Sequence, residues 1–188
     1  MAQDARQIRV AVGGGDVAFA PVGSTLPEDV TTALDPAFVI GGYTTEEGAT
    51  YSYTPEVTEI RSWQSKTATR ILLTGADISV RCSLQQQNAA NLQFAFGGGR
   101  VETVRSGLYK YTFPADDAAL QENALVLVWK DGPYDFRLVL PRGAVSEGVE
   151  SQVNRTDASL LPITFRALGG TGNTPFLLTN DPAYEVGS

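Results

Sequence analysis

In the stretch DISVRCSL, apolar Ile78, Val80, Cys82 and Leu84 alternate strictly with polar Asp77, Ser79, Arg81 and Ser83. The same period governs YDFRLVLP, where Tyr134, Phe136, Leu138 and Leu140 alternate with Asp135, Arg137 and Val139. It recurs in LPITFRAL, with Leu161, Ile163, Phe165 and Ala167 set against Pro162, Thr164 and Arg166. Successive side chains of a β-strand point to opposite faces, so this period specifies half-buried strands with one face on a core. A slip of one residue would turn every apolar set to water, which pins the register as well. LVLVWK, Leu125–Lys130, is apolar throughout. It reads as a central strand covered on both sides, or as one that buries its second face in a partner. Further strands are expected at 7–12, 17–22, 37–43, 49–53, 70–74, 100–104 and 108–113. In KDGPYD, Asp131-Gly132 is expected to be a hairpin turn with both central positions at φ > 0. LPED and LDPA, within 22–36, read as turns or a short helical piece.

One helix is expected, over about residues 84–96. SLQQQNAANLQFAFGGG opens with Ser83 and Gln86 in capping-box spacing, and Ala89, Leu92 and Phe96 form a narrow apolar stripe. Gly97-Gly98-Gly99 ends it. At ~1.5 Å per residue it would span roughly 15–18 Å, enough to cap one face of a sandwich. The expected fold class is therefore mainly β: a β-sandwich or partial barrel of short antiparallel strands with one flanking helix, in a single domain covering 1–188.

Two stretches fit that layout poorly. GYTTEEGATYSYTPEVTEIRSWQSK is long and polar, yet carries Tyr51, Tyr53 and Trp63 along its length. Long excursions of this kind in a small domain tend to be functional. Near the end, TPFLLTNDPAYEV holds Phe176, Leu177 and Leu178, each costing roughly 1.5–3 kcal/mol if left in water rather than fully buried.

Catalytic chemistry is hard to place. The chain has no histidine, which removes the commonest general base and the usual zinc ligand together. Its single cysteine, Cys82, excludes an internal disulfide and falls in an apolar register, so it reads as a small buried hydrophobe. The adjacent carboxylates Glu28-Asp29, Glu46-Glu47 and Asp116-Asp117 sit in polar, turn-like stretches rather than in surroundings that would shift a catalytic pKa. AVGGGDVAFA lies between strands, FGGGRVE follows the helix, and LGGTGNT lacks a following lysine, so all three read as turns and caps rather than phosphate cradles. No metal, cofactor or enzymatic activity is expected. Net charge is −7, and residues 1–60 hold nine carboxylates (Asp4, Asp16, Glu28, Asp29, Asp35, Glu46, Glu47, Glu56, Glu59) against Arg6 and Arg9. Such a surface does not grip phosphates. No apolar run approaches the ~18 residues of a membrane span, and the amino terminus lacks a basic-then-apolar leader, so synthesis and folding in a cytoplasm are expected.

Several stretches together resemble the major tail tube proteins of long-tailed bacteriophages. They are DVAFAPVGSTLPEDVTTALDPAFVIGGYTTEEG, EIRSWQS, ISVRCSLQQQNAANLQFAFGGG and SQVNRTDASLLPITFRAL, which follow the family's order over roughly residues 10–170. The resemblance implies a non-enzymatic structural virion protein with the tail-tube fold. Six copies would form a ring, and rings would stack into a hollow tube through which DNA passes without specific binding. It also implies an extended inter-subunit loop at 44–66, a carboxy-terminal arm at 171–188, and Tyr51, Tyr53, Glu59, Arg61, Trp63, Phe176 and Leu177 as interface candidates. Implied partners are the chain itself and the tape-measure, tail terminator and distal tail proteins, with assembly in the bacterial host cytoplasm, location in the virion tail and no membrane insertion. Alternatives left open are a tube or ring component of a contractile injection device, a tail terminator, and a monomeric β-sandwich binding module for which Tyr109 and Tyr111 would supply a shared aromatic face.

Overall fold

The protein is described from a computed structural model, which defines residues 7–115 and 117–185. Of the features read from sequence, Asp4, Arg6, Asp116 and the last three positions of the 171–188 segment lie outside the described residues. The strands run in the order β1 (Gly15–Pro21), β2 (Val39–Ile40), β3 (Thr44–Arg61), β4 (Ala68–Leu84), β5 (Arg100–Arg105), β6 (Leu108–Thr112), β7 (Asn123–Asp131), β8 (Tyr134–Val145), β9 (Leu161–Ala167) and β10 (Phe176–Thr179). One helix, α1 (Ala89–Ala95), lies between β4 and β5, and a 3₁₀ turn, Pro182–Tyr184, follows β10. The main sheet is antiparallel with strand order β2-β1-β7-β8-β9-β4-β3, and β10 pairs with the first half of β8. β5 and β6 form a separate two-stranded ribbon.

The sheet curls on itself around its apolar face. Val17 and Phe19 of β1 share one core with Val80, Cys82 and Leu84 of β4, although three strands separate β1 from β4 in the ladder. Leu125 and Leu127, Leu138 and Leu140, and Leu161, Ile163 and Phe165 complete it from β7, β8 and β9. The alternating sets of β4 and β9 thus lie inward as their period requires. The seam of the curl stays open. β2 hydrogen-bonds β1 for only two residue pairs, and residues 41–43 then carry the chain across to β3. The result is a sandwich-like partial barrel, not a closed one.

The continuous apolar run of β7 is covered on both sides by its own chain. Leu125 and Leu127 face the inner core, while Ala124 and Val126 join Ala18, Ala20, Phe38 and Val139 in a second cluster. The cover is the 22–38 connection, which lays Leu26, Leu34 and Phe38 over β1, β7 and β8. It contains turns and no helix. β8 was expected to be half-exposed, but the same cover buries Arg137 and Val139.

The helix differs from expectation in both length and cap. Ser83 and Leu84 remain in β4, paired with Pro162 and Leu161 of β9, so the ladder wins over the capping box. Helix α1 starts only after the N-cap Asn88, whose side chain accepts the Asn91 N–H at 2.9 Å. It buries Asn91, Phe94 and Ala95, whereas Leu92 and Phe96 of the expected stripe are half-buried and Ala89 is exposed. The glycine stop holds, since Gly97, Gly98 and Gly99 all take positive φ. The β7–β8 turn falls one residue later than expected, at Gly132-Pro133, because Asp131 pairs with Tyr134. Only Gly132 (φ 58°) is left-handed, since the proline ring fixes its own φ negative. Residues 8–12 do not join a sheet, and the expected 37–43 strand shrinks to two residues before Gly41-Gly42.

Candidate assembly surface

The polar excursion after Gly42 is a long hairpin of 18 residues in β3 against 17 in β4, with register shifts at 44–49, 56–57 and 60–61. Its root belongs to the domain, because β4 pairs with β9 from Ser79 to Leu84. From Ile78 outward, β4 pairs with β3 alone among the described residues. The distal ribbon therefore leaves the body for roughly 25–30 Å, at ~3.3 Å per residue. Among the described residues, the side-chain hydrogen bonds of 57–74 stay within the hairpin, including Thr74 Oγ1 to the Glu56 carbonyl (3.1 Å) and Thr69 Oγ1 to the Ile60 carbonyl (2.8 Å). Arg166 of β9 donates to Asp77 at 2.9 Å and holds its carboxyl below the usual range, which anchors the arm where it departs.

An apolar stripe runs outward along one face of this arm. Cross-strand pairs Tyr51–Val80, Tyr53–Ile78, Pro55–Ala76 and Val57–Leu73 succeed one another, with Glu59–Ile71 beyond. The inner end is core: Val80 is buried and Ile78 packs against the central cluster. The outer end is in solvent, with Val57, Ile71 and Leu73 more than half exposed at 53%, 62% and 64%. β-branched and aliphatic side chains paired across strands stabilise a ribbon, but here their second side has no cover. A soluble monomer seldom presents such a continuous apolar strip.

The residues singled out from sequence fall into three groups. Tyr51 and Tyr53 share the apolar face, and Tyr51 also stacks on Trp129 of β7 with centroids 6.2 Å apart. Glu59 and Arg61 pair with each other at 2.7 Å on the exposed ribbon, and Trp63, at the turn, is 99% exposed. Phe176 and Leu177 lie elsewhere, in β10 against Val139 and Leu138 of β8, where Phe176 packs on the second core cluster. The described part of the 171–188 segment thus rests on its own domain. Asn180 Oδ1 accepts the Asp135 N–H at 2.8 Å, and Asp181 is held by Arg9 and by the Ala183 N–H. Burial would raise the Asp181 carboxyl, but those bonds outweigh it and lower it. Sequence reading missed Ile71 and Leu73, because RILLT looks like any buried strand when its neighbours are unknown, and Val57, because it stands alone among polar residues in PEVTE.

Chemistry of other kinds finds little support. Asp29 is lowered to about 2 by hydrogen bonds from Thr32 and Thr31, the reverse of a general acid's shift. Among the described residues no group of three His, Cys, Asp or Glu could hold a metal, and no helix is long and apolar enough to cross a membrane. Tyr109 is exposed, but the Tyr111 hydroxyl donates to the Gly98 carbonyl at 2.8 Å, so the two do not form one free aromatic face.

A comparison with curated proteins finds no match. A family profile does match. The profile, described as Phage tail tube protein, aligns with residues 1–186, and the chain belongs to that family.

Proposed function

We propose that this chain is the major tail tube subunit of a long-tailed phage, polymerising as stacked six-membered rings into a hollow tube that conducts DNA. As a member of the tail tube family it is a structural component of the virion tail, self-assembling with other tail components. The observation that carries the finer reading is the arm. Val57, Ile71 and Leu73 stand more than half exposed on the ribbon, with no cover from a described residue beyond their cross-strand neighbours. Covering what remains exposed of each would contribute roughly 1–2 kcal/mol, so a neighbouring subunit is the natural cover. Tyr53 and Trp63 would add contact area with a polar handle, Glu59 and Arg61 would set register, and Leu177 on the edge strand β10 would supply a second contact with Phe176 behind it. The tape-measure, terminator and distal proteins would start and stop growth in the host cytoplasm. The charge of −7 supports a wall that keeps DNA hydrated and mobile rather than holding it.

Negative-stain electron microscopy of the purified protein, dilute and concentrated, tests the reading. Hollow tubes of uniform bore are expected on concentration. The paired test replaces 57–74 with Asn-Gly, joining Glu56 to Gly75, which already face each other across the ribbon. This variant should stay a folded monomer; tubes equal to the wild type would sink the arm's role.

A further inference from the structure

We infer that the arm tip of one copy docks in the open seam of a second copy, as a basic, Trp-bearing turn entering an acid-rimmed aromatic cleft. The inference rests on the tube reading and names the receiving site. The seam between β1, the end of β7 and the root of β3 is a cleft of about 1000 Å³. Its walls include Tyr43, Tyr51, Leu127, Trp129 and Tyr184, with Trp129 stacked on Phe136 at 5.2 Å behind. Asp16, Glu46 and Glu47 also line it, and none of them forms an ion pair with a described residue. The cations nearby are engaged, Lys130 by Asp135 at 2.8 Å and Arg9 by Asp181.

The tip has the complementary chemistry. Residues 60–76 carry Arg61, Lys66 and Arg70 and no carboxylate, in a chain of net charge −7. Arg61 has an exposed partner in Glu59, while Lys66 and Arg70 have no ion pair with a described residue. Complementary charge of this kind steers encounter and fixes orientation, and an exposed Trp is a common anchor once a pocket covers it. The occupant must come from another copy. The root of the arm is itself a wall of the cleft, and the ribbon runs away from it with its side-chain hydrogen bonds kept inside the hairpin. A tip-to-cleft contact joins two different patches, so it propagates from copy to copy and yields rings or filaments rather than closed dimers.

The test is a cross-link between two variants, each with one new cysteine at an exposed, uncharged position: Gln64→Cys beside Trp63 and Gln86→Cys at the cleft. Native Cys82 is buried with its thiol pushed up to about 11, so it stays silent. The two variants are mixed, assembled and oxidised. Tubes containing a Gln64→Cys/Gln86→Cys disulfide dimer are the expected result. Tubes without that dimer overturn the docking site and leave the tube function standing; no tubes and no dimer overturn both. A charge swap gives an independent readout. Arg61→Glu/Lys66→Glu/Arg70→Glu and Glu46→Lys/Glu47→Lys should each abolish assembly, and their mixture should restore it. Assembly unchanged in either charge variant alone would overturn the proposal.

Discussion

Asn91 Nδ2 donates to the Gly41 carbonyl at 2.8 Å, joining the helix to the strand segment on the far side of the open seam. The same nitrogen donates to the Gln86 carbonyl at 2.8 Å, just past β4. One fully buried amide, 0% exposed, therefore bridges the two ends of the curled sheet where the backbone ladder stops. Asn91→Leu keeps the heavy-atom count but strips the buried Gly41 carbonyl and the partly buried Gln86 carbonyl of their donor, a cost of about 1–3 kcal/mol. For a chain of this length the melting temperature should fall by roughly 2–12 °C with the far-UV spectrum preserved. An unchanged melting temperature would show that the seam is held by other contacts.

Arg137 performs a comparable task on the opposite face. Its guanidinium lies buried and donates to the carbonyls of Asp29 (2.9 Å) and Thr32 (2.7 Å), pinning the 22–38 connection to β8. Arg137→Met should cost about 1.5–3 kcal/mol, since both bonds come from a charged donor. Limited proteolysis should then cut first within 22–36, and a wild-type cleavage pattern would contradict the clamp.

That connection should also be acid-sensitive. The Asp29 carboxylate accepts the Thr32 N–H and hydroxyl, each at 2.6 Å, and the Thr31 N–H at 2.7 Å. These bonds lower its pKa from the ordinary 3.8 to about 2. A carboxyl lowered on folding contributes stability above its unfolded value, and that contribution fades as pH falls from 3.8 towards about 2. Stability measured from pH 6 to 2 should therefore drop less steeply for Asp29→Asn than for the wild type across that window. Parallel curves would dismiss the effect.

The exposed stripe separates stability from assembly. Val57→Thr/Ile71→Thr/Leu73→Thr places β-branched side chains at all three ribbon positions and removes apolar surface that the monomer leaves mostly uncovered. Monomer stability should stay within about 0.5 kcal/mol per site, as for ordinary surface changes. The protein concentration needed for tube formation should rise severalfold, as read by sedimentation. Equal assembly with lower monomer stability would place the stripe's partner within the same chain.

Cys82 offers a folding probe. Buried in β4 with its thiol raised to about 11, it should resist alkylation at pH 8 until the sheet opens. Its labelling rate should track global unfolding by denaturant, and rapid labelling of the native protein would contradict the burial.

Local period settled a large part of this fold in advance. Ile78 to Leu84 and Leu161 to Ala167 alternate because one face is always core, and no distant residue is needed to read that. The glycine stop after α1 and the absence of histidine are equally local. Other features depended on which strands became neighbours. Ser83 and Gln86 look like a helix start until β9 claims Ser83 for the sheet, and Arg137 looks solvent-facing until residues from 22 to 38 fold over it. The arm is the clearest case. Ile71 and Leu73 have the character of any buried strand, and only the end of β4–β9 pairing at Ser79 leaves them in water, with Val57 opposite Leu73. Periodicity reports which face a side chain shares with its neighbours, whereas what covers that face is set by contacts between distant segments.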